Sequence, residues 1–169
     1  PIGLLTIAVA RLRGAGRIYA VDRVPARLEL ARAMGADCAI DFSAVEPDRA
    51  IRQDTGGRGV DVAVEAAGKP ESLNQCLRVA ANAGRVVMIG IPASVTVPLE
   101  FHEMRRKELA LYNVRRQNHH AEEAVRLLAA GRPRFGDIVT HLRPLDQIDA
   151  TFRMLEHYED GVGKAVISP

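Results

Sequence analysis

Cysteine is scarce in this chain. Its two cysteines, Cys38 and Cys76, stand far apart and form no CxxC pair. A disulfide framework needs several paired cysteines and a structural zinc site needs closely spaced ones, so neither is expected within these residues. The same scarcity favours a reducing environment, and we expect a cytoplasmic protein.

Long apolar runs and a dominant charge are also lacking. No stretch approaches the roughly 18 continuous apolar residues of a membrane span, and the amino end does not have the layout of a signal peptide. With 23 Lys and Arg against 21 Asp and Glu, the formal net charge is only +2. This balance gives no reason to expect a nucleic acid or a membrane as a partner.

What the sequence does contain is a regular alternation of strand-like and helical segments. Helices are predicted at 3–13, 24–34, 44–54 and 70–82, and strands at 17–22, 37–41, 60–67 and 85–91. This alternation predicts an α/β fold with a doubly wound, parallel, Rossmann-type sheet. After Pro92 the rhythm changes, and we place a domain boundary near residue 116. Beyond it we predict a helix at 119–130, strands at 138–141 and 163–168, and a helix at 145–158.

Gly3 and Asp22 have the spacing of the second half of a dinucleotide-binding fingerprint. Gly3 opens the first predicted helix, where unpaired amides and the helix dipole favour a pyrophosphate. Asp22 closes the following strand, where a carboxylate can accept hydrogen bonds from both ribose hydroxyls and would repel a 2′-phosphate. The pair therefore favours NAD over NADP. The alternative for Asp22 is a structural role at the start of the helix that follows Val24 and Pro25.

The first strand and the first two glycines of such a fingerprint would precede residue 1. That strand is central in the strand order 3-2-1-4-5-6, so the sheet is expected to lack the strand that joins its two halves. We therefore expect a truncated Rossmann-type sheet that folds poorly and is inactive by itself. The absence of a targeting signal in this sequence says little about the whole gene product, since the chain begins inside a motif.

Several short motifs together resemble the cofactor domain and carboxyl-terminal segment of the medium-chain zinc-dependent alcohol dehydrogenases. They are Pro1-Ile2-Gly3, Val21-Asp22-Arg23, Met34-Gly35-Ala36-Asp37, Glu65-Ala66-Ala67-Gly68, Gly84-Arg85-Val86-Val87, Ile138-Val139-Thr140-His141 and Gly163-Lys164-Ala165-Val166-Ile167. The similarity is greatest to the sorbitol and threonine dehydrogenase branch. It implies an NAD-binding domain at 1–116, a segment at 117–169 that returns to the catalytic domain, and a homo-oligomer, either a dimer or a tetramer.

The resemblance also implies a set of cofactor-binding residues. Ile2 and Gly3 would lie against the pyrophosphate, and Asp22, Arg23 and Arg27 would lie at the adenosine ribose. Ala67 and Gly68 would line the cofactor crevice. The nicotinamide end would meet the backbone at Ile89, Gly90, Ile91, Val114, Arg115 and Arg116.

The reaction implied by the resemblance is NAD-dependent oxidation of a small secondary alcohol or polyol. In that family a zinc ion polarises the alcohol, but its ligands come from an amino-terminal domain, so we predict no catalytic and no metal-binding residue in this chain. Three alternatives stay open: a non-catalytic nucleotide-binding module, a zinc-free quinone or enoyl reductase relative, and, ranked last, a methyltransferase. Asp22 counts against the reductase because such enzymes usually prefer NADP.

The remaining polar clusters are interpreted structurally. His102, His141 and His157 are isolated in sequence, and the adjacent His119 and His120 point in different directions on a helix. Arg105-Arg106-Lys107 is interpreted as a solvated turn.

Overall fold

A computed structural model describes residues 1–131 and 135–169. The helices are α1 (Ile2–Leu12), α2 (Pro25–Ala33), α3 (Pro47–Asp54), α4 (Pro70–Val79), α5 (Phe101–Arg106), α6 (Ala121–Ala129) and α7 (Ile148–His157). The strands are β1 (Tyr19–Asp22), β2 (Cys38–Asp41), β3 (Val60–Glu65), β4 (Ala80–Met88), β5 (Ala110–Asn113), β6 (Val139–Pro144) and β7 (Lys164–Ser168). The predicted alternation is confirmed. Within the described ranges, no helix is both long and apolar enough to cross a membrane.

Proline sets the start of three of these helices. Pro25, Pro47 and Pro70 occupy the first helical position of α2, α3 and α4, where the ring is compatible with the helix and the missing amide would have no partner. The predicted end of α4 was wrong. Ala80 has an extended backbone, with φ −60° and ψ 140°, and pairs with Val60, so the segment from Ala80 onward opens β4 instead of continuing the helix.

All strand pairs are parallel, and they form separate sheets. β1 pairs with β2, β4 lies between β3 and β5, and β6 pairs with β7. In the described part of the chain no ladder joins β1 to β3, so each of these strands has an open edge. The α/β fold with parallel strands is confirmed, and within the described residues its strands form three separate sheets.

The chain forms two compact units, residues 1–44 with 121–169 and residues 45–120. The core of the first unit consists of Leu4, Ala8, Ala20, Ala31, Met34 and Ile138. The buried apolar residues of the second include Ile51, Ala63, Leu77, Val79, Ala80, Ala81 and Val86. The domain boundary near residue 116 stays a prediction.

Arg11 fixes the end of α1 against the turn that precedes β2. Its guanidinium donates to the carbonyl of Gly35 at 2.8 and 3.1 Å and pairs with the carboxylate of Asp37. The amide of Ile18 and the guanidinium of Arg11 together lower the pKa of Asp37. These contacts orient α1, and therefore its amino terminus, relative to the start of β1.

A charged network joins α3, α4 and α5 in the second unit. Arg78 pairs with Asp48 at 2.6 Å and also with Glu100. Lys107 is only 11% exposed, and its ammonium donates to the carbonyls of Leu77 and Arg78 at 2.9 and 2.7 Å. The interpretation of Lys107 as part of a solvated turn was therefore wrong, because this side chain satisfies carbonyls at the end of α4.

Candidate functional site

The amino terminus of α1 presents unpaired amides. The first hydrogen bond within this helix runs from Leu5 N to the carbonyl of Pro1 at 3.0 Å, and no side chain caps the terminus. The amides of Ile2, Gly3 and Leu4 therefore precede the first helical bond, as expected for the first turn of any helix. Such a terminus favours an anion. The role of Ile2 and Gly3 at a pyrophosphate stays a prediction.

Asp22 lies at the carboxyl end of β1 and uses one oxygen locally. Its Oδ1 accepts hydrogen bonds from the amides of Arg23 at 2.8 Å and Val24 at 3.0 Å. Oδ2 makes no hydrogen bond within the described residues. The structure therefore shows a structural role for Asp22, because one oxygen shapes the turn into α2. Its role at the ribose stays a prediction.

Charged groups converge on the start of α1. The charges of Arg27, Lys164 and Asp22 all act at the position of Pro1. These three side chains come from α2, from the start of β7 and from the end of β1. The structure thus brings together Asp22, Arg27 and the α1 terminus, which the sequence predicted to act on the same half of a dinucleotide.

Arg27 carries a buried donor that has no acceptor in the protein. Its Nε is buried and makes no hydrogen bond, while its guanidinium carbon lies 4.3 Å from the centre of the Tyr158 ring. Buried polar atoms are nearly always hydrogen-bonded in native proteins, so an orphan donor indicates a missing acceptor. The oxygen-rich ribose and phosphates of a dinucleotide would supply one, and the residues present therefore fit such a cofactor.

In the second unit, Glu65 organises the segment after β3. This residue is only 4% exposed, and its Oε1 accepts from the amides of Ala67 and Gly68 at 2.7 and 2.8 Å and from the Ser72 hydroxyl at 2.6 Å. Its backbone carbonyl accepts from the amides of Ile89 and Gly90 at 2.8 and 3.1 Å. One residue thus holds the segments that follow both β3 and β4.

The two segments approach each other too closely for side chains. Gly68 has φ +70°, and a Cβ at this position would lie 2.7 Å from the carbonyl oxygen of Ile91. A Cβ on Gly90 would collide with the Glu65 carboxylate and the Gly68 amide. Glycine is therefore required at both positions by contacts within the protein itself.

Only part of the backbone predicted to face the nicotinamide is available to a ligand. The amides of Ile89 and Gly90 already donate to the carbonyl of Glu65, and the Val114 amide donates to the carbonyl of Met88 at 3.0 Å. The side chain of Ile91 is 88% exposed. Because β4 pairs with β5, the ends of these two strands lie side by side, and this neighbourhood includes Val114, Arg115 and Arg116.

The contacts of three residues were not predicted from the sequence. They are Glu65, Tyr158 and His141, and the last of these is isolated in sequence but has neighbours in the fold. Its Nε2 lies 3.1 Å from Asp160 Oδ2, and its Nδ1 lies 2.8 Å from the hydroxyl of Thr140. Within the described ranges no group of three His, Cys, Asp or Glu side chains could hold a metal ion.

We expect Cys76 to react slowly with thiol reagents in the folded protein. Burial, with a smaller contribution from the charge of Glu65, raises the pKa of its thiol to about 12, and only the thiolate is nucleophilic. Labelling of a Cys38→Ser variant should be slow at pH 8 and become fast in urea. Because this pKa is raised in the folded state, the associated stability is present below pH 9 and lost as the pH rises toward 12. Equal labelling rates in the two states would contradict this expectation.

The zinc-binding dehydrogenase family model matches residues 1–130. An alcohol dehydrogenase from Cupriavidus necator is 35% identical over all of this chain, which corresponds to 47% of that relative. An L-threonine 3-dehydrogenase from Bacillus velezensis is 33% identical over all of the chain and 49% of its own length. The chain thus spans about half the length of the curated relatives it matches.

Solved structures give the same result. The alcohol dehydrogenase of Thermus sp. ATN1 superposes with a TM-score of 0.92 at 30% identity, over all of this chain and 48% of that one. A Sinorhizobium meliloti 1021 protein described as a zinc-binding dehydrogenase, and solved with NADP bound, has a TM-score of 0.88 at 28% identity, over 99% of this chain and 49% of its own. From its parallel α/β fold and these matches, the chain belongs to the zinc-binding dehydrogenase family.

Proposed function

We propose that this chain binds NAD and forms the cofactor-binding half of a zinc-dependent dehydrogenase that oxidises a small secondary alcohol or polyol. The observation that carries the proposal is the position of Asp22. It ends β1 beside the amino terminus of α1, with Oδ1 held by two amides and Oδ2 open to a ligand. This arrangement suits a ribose whose neighbouring pyrophosphate lies at the helix terminus.

The residues of this chain bind and orient the cofactor. The amides at the start of α1 hold the pyrophosphate, Asp22 accepts hydrogen bonds from the ribose hydroxyls, and Arg27 donates to the same ribose or its phosphate. In the second unit, Glu65 keeps the segments at Gly68 and Gly90 in fixed positions. Bound NAD supplies the hydride acceptor. The described residues do not fit a zinc site, so no step of the chemistry is assigned to them through zinc.

The choice of NAD over NADP follows from the charge at the end of β1. A 2′-phosphate would lie against the free oxygen of Asp22, which repels it, whereas two free hydroxyls can donate to it. The relative from Sinorhizobium meliloti was solved with NADP, so the preference proposed here is a property of Asp22 rather than of the family. We also propose that the protein is a cytoplasmic homo-oligomer, either a dimer or a tetramer, and that its cofactor domain ends near residue 116. These parts of the proposal rest on the resemblance and on the scarcity of cysteine.

We expect Asp22→Ala to weaken NAD binding by roughly 10- to 100-fold, the usual range for lost hydrogen bonds to a charged group. The affinity for NADP should fall less, because the repulsion of the 2′-phosphate disappears. Isothermal titration calorimetry on the full-length protein measures both affinities.

Asp41 offers a matched control for this substitution. It ends the neighbouring strand β2 and forms a similar turn, since its Oδ1 accepts from the Ser43 amide at 2.8 Å. Asp41→Ala should leave NAD affinity within about twofold of the original. If Asp22→Ala binds NAD as tightly as Asp41→Ala does, the ribose role is wrong.

A further inference from the structure

Tyr158 ends α7 in an unusual backbone conformation. Its φ is +57° and its ψ is 34°, and its amide donates to the carbonyl of Met154. The left-handed region is uncommon for a side chain as large as tyrosine, and it marks positions where surrounding contacts determine the conformation. Glycine would adopt this conformation without strain, so the contacts of the tyrosine ring are of interest.

The ring contacts two arginines of the segment that includes Asp22. The guanidinium carbon of Arg27 lies 4.3 Å from the ring centre, and that of Arg23 lies 5.8 Å away. The negative face of an aromatic ring attracts guanidinium groups, which stack on it readily. Tyr158 can therefore hold two like charges near each other that would otherwise repel.

Neither arginine has an acidic partner in the described part of the chain. No ion pair joins Arg23 or Arg27 to a carboxylate, and the buried Nε of Arg27 lacks any acceptor. A guanidinium that served only to stabilise the fold would be expected to have such acceptors. The ring orients the arginines while their N–H groups stay available, an arrangement that suits an oxygen-rich anionic ligand.

We infer that Tyr158 is a positioning residue for the adenosine end of the cofactor, because it holds Arg27, and secondarily Arg23, in the orientation that receives the ribose and its phosphate. The inference rests on the proposed function and extends the cofactor site to the end of α7. A contact made by the carboxyl-terminal segment thereby affects cofactor affinity, although Tyr158 itself does not contact the nicotinamide.

The test compares two substitutions of Tyr158 in the full-length protein. Tyr158→Ala removes the ring and should weaken the binding of NAD and of ADP-ribose by roughly tenfold, the effect of losing a partly exposed cation–π contact. Tyr158→Phe keeps the ring face and should bind within about twofold of the original protein. Phe152→Ala is the matched control, because it removes an exposed aromatic side chain from the same helix.

A double substitution separates positioning from general stabilisation. If Tyr158 acts through Arg27, then Tyr158→Ala should add almost nothing to the loss caused by Arg27→Gln. Thermal unfolding identifies variants that fail to fold, and Tyr158→Leu replaces Tyr158→Ala if the latter does. Additive losses, or an affinity of Tyr158→Ala within twofold of the original, would overturn the inference while leaving the proposed function intact. If the unsubstituted protein binds neither NAD nor ADP-ribose, both this inference and the proposed function are wrong.

Discussion

Replacing Gly90 by alanine is expected to lower the free energy of unfolding by about 3 kcal/mol or more and to reduce NAD affinity at least 100-fold. The new Cβ would collide with the Glu65 carboxylate and the Gly68 amide, and it would lie 2.7 Å from the Gly68 Cα. Two of these atoms belong to the backbone, which cannot rotate away as the end of a long side chain can. The segments after β3 and β4 would have to separate, which would break the hydrogen bonds from Ile89 and Gly90 to the Glu65 carbonyl.

Gly16→Ala is the control for this substitution. A Cβ at Gly16 would meet no atom within 4 Å, and no positive φ requires glycine there. Urea unfolding of the full-length protein gives the stability of each variant, and calorimetry gives its NAD affinity. A Gly90→Ala variant that matches Gly16→Ala in both measurements would show that the two segments do not need to be in contact.

The element order was predictable because the signals for it are local. The strands are short apolar runs, and proline or glycine stands near most of their boundaries. The error at the end of α4 has a physical cause: the alanines Ala80, Ala81 and Ala83 favour a helix, but pairing of Ala80 with Val60 decides in favour of a strand. Long-range pairing overrides a weak local propensity of this kind.

The candidate site was predictable only where it is local in sequence. Gly3 and Asp22 are recognised by their spacing around one strand. Tyr158 meets Arg27 only after the chain has folded, so no sequence pattern indicates that contact. Glu65 left a trace as an acid within an apolar strand, but its acceptor role depends on backbone amides, which are present at every position and carry no sequence signal.

Removal of the Glu65 carboxylate is the second substitution that should strongly reduce stability and NAD affinity. In Glu65→Ala, the amides of Ala67 and Gly68 and the hydroxyl of Ser72 lose their acceptor in a site that excludes most water. Unsatisfied buried donors cost about 1–3 kcal/mol each before relaxation, so we expect a loss of roughly 3 kcal/mol in unfolding free energy and weaker NAD binding. Glu65→Gln keeps an acceptor oxygen for the same donors and should lose clearly less.

The comparison with Glu71 separates these contacts from a change in net charge. Glu71 is exposed in the first turn of α4, and Glu71→Ala should change stability by no more than about 0.5 kcal/mol.

The Cys76 thiol gives a second measurement of the effect of Glu65, because the charge of Glu65 contributes to the raised pKa of this thiol. In Glu65→Gln the pKa of that thiol should fall but stay above its ordinary value, since burial is the larger cause. The rate of thiol labelling against pH measures the shift. An unchanged profile would mean that burial alone raises the pKa of the Cys76 thiol.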